Sequence, residues 1–135
     1  MDILAKAITL RIKSGTNFLR IDKGRHLNIK RSDRICQGCN KEIENEEHFL
    51  LYCINYKKIR NNWLYPIENW TKNEKLKLLM GYNVEDIKKK KSLTDKCKQK
   101  LIKMARTYIK MITAERDRVQ KKKDWKRLKY RGIYL

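Results

Sequence analysis

The sequence predicts a mainly α-helical fold: a small helical domain closed by a Cys3His cluster and ending in a long, amphipathic, basic helix. Three observations carry this reading. Apolar residues recur every three or four positions in segments bounded by caps, glycines and the one proline. Three of the four cysteines and one of the two histidines fall within residues 36–53. The charge lies on either side of that window. Residues 1–35 carry nine basic and three acidic groups, residues 36–70 four and five, and residues 71–135 twenty-two and seven.

At 135 residues the chain is one domain with extensions. Residues 1–70 make an N-terminal helix and the Cys/His module. Residues 71–115 are a helical extension packed on it, and 116–135 a basic C-terminal arm. The first helix is expected over 3–14, capped by Asp2, with Ile3, Leu4, Ala7 and Ile8 inward and Gly15 as its stop. A short helix near 16–21 and an ordered loop to residue 35 follow. The loop's apolar Leu27, Ile29 and Ile35 alternate with cations.

The module itself reads C-Q-G-C-N-K-E-I-E-N-E-E-H-F-L-L-Y-C, or C-x2-C-x8-H-x4-C. Cys36, Cys39, His48 and Cys53 form a Cys3His set, one of the standard tetrahedral sets for Zn2+. Four protein ligands leave no open position, so the site is expected to be structural. A disulfide or inert buried thiols are the competing readings. Gly38 is expected to take a left-handed turn conformation, and Glu42, Glu44, Glu46 and Glu47 to form a solvated loop. His48 and Cys53 are five residues apart. On a regular helix that turns their directions by about 140° and separates them by about 7.5 Å. The helix starting near Glu46 must therefore break at Cys53.

Beyond the module, 54–64 reads as a helix with Ile54, Tyr56, Ile59 and Trp63 on one face, stopped by Pro66. Trp63, Tyr65 and Trp70 form an aromatic cluster read chiefly as core, with base stacking as the other use. Thr71 and Glu74 make a capping box for a helix over 72–80 that buries Leu76, Leu79 and Met80 and ends at Gly81. A short helix to Ile87 and a mobile run, Lys88 to Lys91, follow. Thr94 or Asp95 caps the longest helix, over about 95–123. Its apolar stripe is Cys97, Leu101, Met104 or Ala105, Tyr108, Ile112 and Val119. After it, Trp125, Leu128, Tyr130, Ile133, Tyr134 and Leu135 interrupt the basic arm and are expected to dock on a partner or on the domain.

The stretch from Leu19, Arg20, Gly24 and Arg25 through R-I-C-Q-G-C to H-F-L-L-Y-C, Tyr56 and Arg60 resembles a known family. It is similar to the CCHC zinc-binding module that follows the reverse transcriptase in LINE-type (non-LTR) retrotransposon proteins. The likeness is densest over 18–60 and extends loosely over 5–116. The family's polymerase and endonuclease motifs do not occur here. The resemblance therefore implies a lone module, whether fragment, relic or repurposed subunit, that contacts nucleic acid without catalysis. Met1 and the coherent C-terminal helix favour an independent chain.

The net charge of +20 independently points to a polyanionic partner. The expected phosphate contacts are Arg20, Arg25, Lys30, Arg31 and Arg34 near the module, and Lys103, Arg106, Lys110, Lys121, Lys122, Lys123 and Arg127 toward the C-terminus. DNA and RNA are not distinguished. His26 lies ten residues before a ligand set that is already complete, and is read as a partner for nucleic acid or a carboxylate. No nucleophile–base set or phosphate-binding glycine loop is present, so no enzyme is expected. The expected function is a non-catalytic accessory subunit of a complex acting on nucleic acid, with a protein-interaction scaffold or ribonucleoprotein component as the alternative. Unpaired Cys97 suits a reducing compartment, and the basic C-terminal cluster a nuclear location. No apolar run nears the roughly 20 residues of a membrane span.

Overall fold

Six helices and a set of short turns make up the described part of the chain. A computed structural model describes residues 3–14, 19–87 and 93–130, with the side chains of residues 13, 14, 22, 85 and 123–130 excepted. The helices are α1 (Ile3–Ser14), α2 (Arg20–His26), α3 (Lys57–Trp63), α4 (Lys72–Leu79), α5 (Val84–Ile87) and α6 (Asp95–Tyr130). Among the described residues there is no strand, only an isolated antiparallel bridge between Ile35 and Ile43. The fold is mainly helical, with the Cys/His cluster and the long last helix in place.

α6 organises the rest, packing on α1, α3 and α4. Its buried row is Ala105, Tyr108, Ile109 and Ile112, with Leu101, Ile102 and Met104 partly covered. The row meets Ile8 and Ile12 of α1, Leu64 and Ile67 after α3, and Leu78 and Leu79 of α4. Cys97 departs from the expected stripe: it is exposed near the start of α6. Thr94 Oγ1 accepts from the Cys97 N–H and caps the helix. α6 also runs on through 116–130, which was expected to be an arm beyond a helix ending near 123. The C-terminal docking expected of Ile133, Tyr134 and Leu135 lies outside the described residues, as do the caps Asp2 and Gly15 and the mobility expected of Lys88 to Lys91.

Three local readings change. α1 has the expected bounds but buries Ala5, Ile8 and Ile12, while Ile3, Leu4 and Leu10 face out. That face packs on α6, and Thr9 beside it lies against the Gly81 turn, where an added Cβ would come within 2.9 Å of Thr9 Cγ2. The second helix is α2, over Arg20–His26, where a loop was expected. It ends in a Schellman motif: Asn28 is left-handed (φ 56°) and the Ile29 N–H donates to Gly24 O. Ile54 is 64 % exposed rather than buried, because the chain makes a 3-10 turn there before α3 begins. The expected cap and stop of α4 are both present. Thr71 and Glu74 form the reciprocal capping box, and Gly81 (φ 87°) terminates α4. That helix buries Leu78 and Leu79, with Leu76 and Met80 at its margin.

Candidate metal centre

Two short elements bring the Cys/His set together. The first is a knuckle. Ile35 bridges Ile43, the Cys36 N–H donates to Glu42 O, and the Asn40 N–H donates to Cys36 O, so Cys36 and Cys39 project from one tight turn. The left-handed residue in this turn is Asn40 (φ 58°), not Gly38. A Cβ at Gly38 would lie 2.4 Å from Asn55 Nδ2, so a side chain there would displace the Asn55 amide from over the knuckle.

The second element resolves the five-residue spacing. Asn45 Oδ1 accepts from the His48 N–H and starts a helical turn, which then widens into a π-turn over His48–Tyr52. The Cys53 N–H donates to His48 O at 2.7 Å, an i→i+5 bond, and Cys53 itself is extended. A wider turn returns residue 53 to the side of residue 48, which a regular helix cannot do. The break expected at Cys53 is thus present, with the π-turn as its means. The turn buries Phe49 and Leu50 beside the cluster.

The four ligand atoms all lie within 4.8 Å of one another. Cys36 Sγ is 3.8 Å from Cys53 Sγ, and Cys39 Sγ is 3.4 Å from His48 Nε2. With bond lengths of about 2.3 Å to sulfur and about 2.0–2.1 Å to nitrogen, a tetrahedral ion needs S–S and S–N edges of roughly 3.8 and 3.6 Å. The residues therefore fit a metal ion, and no cysteine among those described is in a disulfide. The Cys53 sulfur beside it and burial push the Cys36 thiol up, while the hydrogen bond from Cys36 holds Cys53 down. A divalent ion would take both sulfurs as thiolates. Glu42 Oε2 stands 3.3 Å from His48 Nδ1, close but not aligned as a hydrogen bond. It is placed to fix the ring once Nε2 is engaged.

Glu44 is the residue that sequence reasoning misplaced. Within the supposed solvated loop it is only 2 % exposed. Its carboxylate accepts two hydrogen bonds from Arg116 of α6, at 2.7 and 2.9 Å, and a third from the Arg20 N–H at 2.8 Å. Cys36 Sγ lies 3.9 Å from Oε2. Arg116, read as part of the basic arm, is thus a buried structural cation. Burial alone would depress its pKa, but the Glu44 carboxylate outweighs this and holds it above the ordinary value. Nothing in the sequence pairs residues 72 positions apart. Asn45, three residues before His48, was legible as a cap.

Two further side chains close the π-turn. Tyr108 donates its hydroxyl hydrogen to Leu50 O, and Arg60 donates from Nη1 to Cys53 O at 2.6 Å. The expected phosphate contacts fall in two places. Arg25, Lys30 and Arg31 are exposed around α2 and the turn after it. Arg20 is partly buried there, with Nε enclosed and unpartnered. Arg34 lies over Gly24 and donates to Ile29 O and Ile21 O, so its guanidinium holds the α2 segment together. On α6, Lys103, Lys121 and Lys122 are exposed and Lys110 is partly covered. Arg106 faces the cleft between α1 and α6, beside Lys6 and Lys98. The side chains of Lys123 and Arg127 lie outside the described set. His26 is exposed and far in sequence from the cluster, which it does not join.

Comparison with protein-family models, curated proteins and solved structures finds no match to this chain. No helix among the described residues is long and apolar enough to cross a membrane.

Proposed function

We propose that the chain is a zinc-stabilised, non-catalytic protein that contacts nucleic acid chiefly through phosphates, as an accessory subunit of a larger complex. The observation that carries this is the charge map. A nearly neutral metal module is flanked by segments of net +6 and +15, on which Arg25, Lys30, Arg31, Lys103, Lys121 and Lys122 are exposed. So large a one-sign excess matches a polyanion. The closed four-ligand set supports a structural ion rather than a reactive one. The likeness of residues 18–60 to the zinc module of LINE-type retrotransposon proteins supports the same reading, and with it a nuclear location.

A salt series tests it, on zinc-loaded protein with duplex DNA, single-stranded DNA and RNA. Log K should fall with log salt at about −0.9 per phosphate neutralised on duplex DNA. Weak binding to all three at moderate salt overturns the reading. The scaffold reading would then take its place, favoured by Ile3 (83 % exposed) and Leu4 on α1.

A further inference from the structure

The aromatic residues beside the metal module line a groove rather than closing into core. Trp63, Tyr65 and Trp70 form one wall, and Leu101 and Met104 of α6 face them across a cleft of about 830 Å3. That size falls in the range of roughly 300–1,000 Å3 typical of ligand clefts. Trp63 and Trp70 are only partly covered, and Tyr65 is 69 % exposed. Cations rim the cleft. Lys100 lines it, and Lys96 and Lys103, four and three residues away on the same face of α6, are exposed as well. On the other side of Tyr65 lies a second cleft, of about 380 Å3, bordered by Arg60, Lys72 and Lys75 but also by Glu68, with Lys72 paired to Glu47 at 2.8 Å. Tyr65 is therefore a ridge between the aromatic groove and a cleft of mixed charge.

We propose that this groove takes the bases of single-stranded nucleic acid, stacked on Trp63, Tyr65 and Trp70, with the backbone held by the Lys96–Lys100–Lys103 row. The inference rests on the nucleic-acid reading above and names the form of the ligand. Flat rings inside and cations at the lip suit a polymer whose rings turn inward and whose charge stays outside. A duplex keeps its bases stacked and offers the groove nothing. An acidic amphipathic peptide is the competing occupant, but it has less use for three large aromatic faces.

The test measures binding of a labelled single strand, an abasic strand of equal length and charge, and a duplex of equal length. The full zinc-loaded chain is compared with its Tyr65→Ala and Lys100→Glu variants. The single strand should bind about tenfold or more tighter than the abasic strand. Tyr65→Ala should erase most of that advantage with the thermal melt unchanged, and Lys100→Glu should weaken both strands. Equal binding of normal and abasic strands, or an advantage that survives Tyr65→Ala, overturns the groove while phosphate contact stands. Failure of all three nucleic acids to bind overturns both readings. Tyr65-dependent capture of an acidic amphipathic peptide in place of the strand also overturns the proposal.

Discussion

At the scale of single residues, the centre depends on a buried ion pair as well as its four ligands. Glu44 and Arg116 are 2 % and 11 % exposed at their side chains, and they join the knuckle to the last helix. Removing one partner of such a pair leaves an uncompensated buried charge, at a cost of about 3–5 kcal/mol. Arg116→Ala should therefore lower the denaturant midpoint steeply. Glu44→Gln/Arg116→Met, which removes both charges, should recover much of the loss. If Arg116→Ala and an exposed control such as Lys121→Ala melt alike, the pair does not hold the fold. The ligands were legible because their chemistry requires a fixed spacing in the chain. The ion pair was not, because its spacing is set by packing: nothing local marks Glu44 as different from Glu42, Glu46 or Glu47.

At the scale of elements, the informative one is the π-turn over His48–Tyr52. A π-turn has poorer hydrogen-bond continuity than a helix and tends to occur where a site needs it. Here the chain leaves the helix at Cys53, so Leu50 O has no helical donor, and the hydroxyl of buried Tyr108 supplies one. Tyr108→Phe keeps the ring and removes only that donor. It should destabilise by about 1–3 kcal/mol, the cost of a buried acceptor left unmet, and should weaken metal retention in a chelator competition. A Tyr108→Phe chain as stable and as metal-retentive as its parent would show that the turn holds itself. The five-residue spacing revealed that something must deform, but not that the remedy would come from a tyrosine 58 residues away. The capping box and the Gly81 stop were readable because each is settled within one turn of chain. α2 was not, since Gly24 in its interior argues against a helix. Only the side chain of Arg34, lying where a Cβ would be, explains the glycine.

At the scale of the whole molecule, the Cys/His module and the helices share one core. Cys36 and Cys53 belong to the same buried cluster as Phe49, Leu50 and Tyr56, and also Ile8 and Ile12 of α1, Leu79 of α4, and Tyr108 and Ile112 of α6. α6 spans about 54 Å at 1.5 Å per residue. It touches the module through Tyr108 and Arg116 and the other helices through the turns before them. Structural zinc in small modules contributes about 10–16 kcal/mol of apparent binding free energy, as large as the roughly 5–15 kcal/mol by which most domains are stable. Because the core is continuous, that energy cannot be confined to residues 36–53. Chelation should therefore unfold the molecule as one unit: far-UV circular dichroism should lose helix far from the knuckle, and tryptophan fluorescence and dichroism should change together. Substituting His48 by Ala should give the same partly or wholly unfolded chain without chelator. If the metal-free protein instead kept a cooperative melt with most of its helix, α1, α4 and α6 would form a self-sufficient body. The ion would then organise only the segment between Arg34 and Arg60.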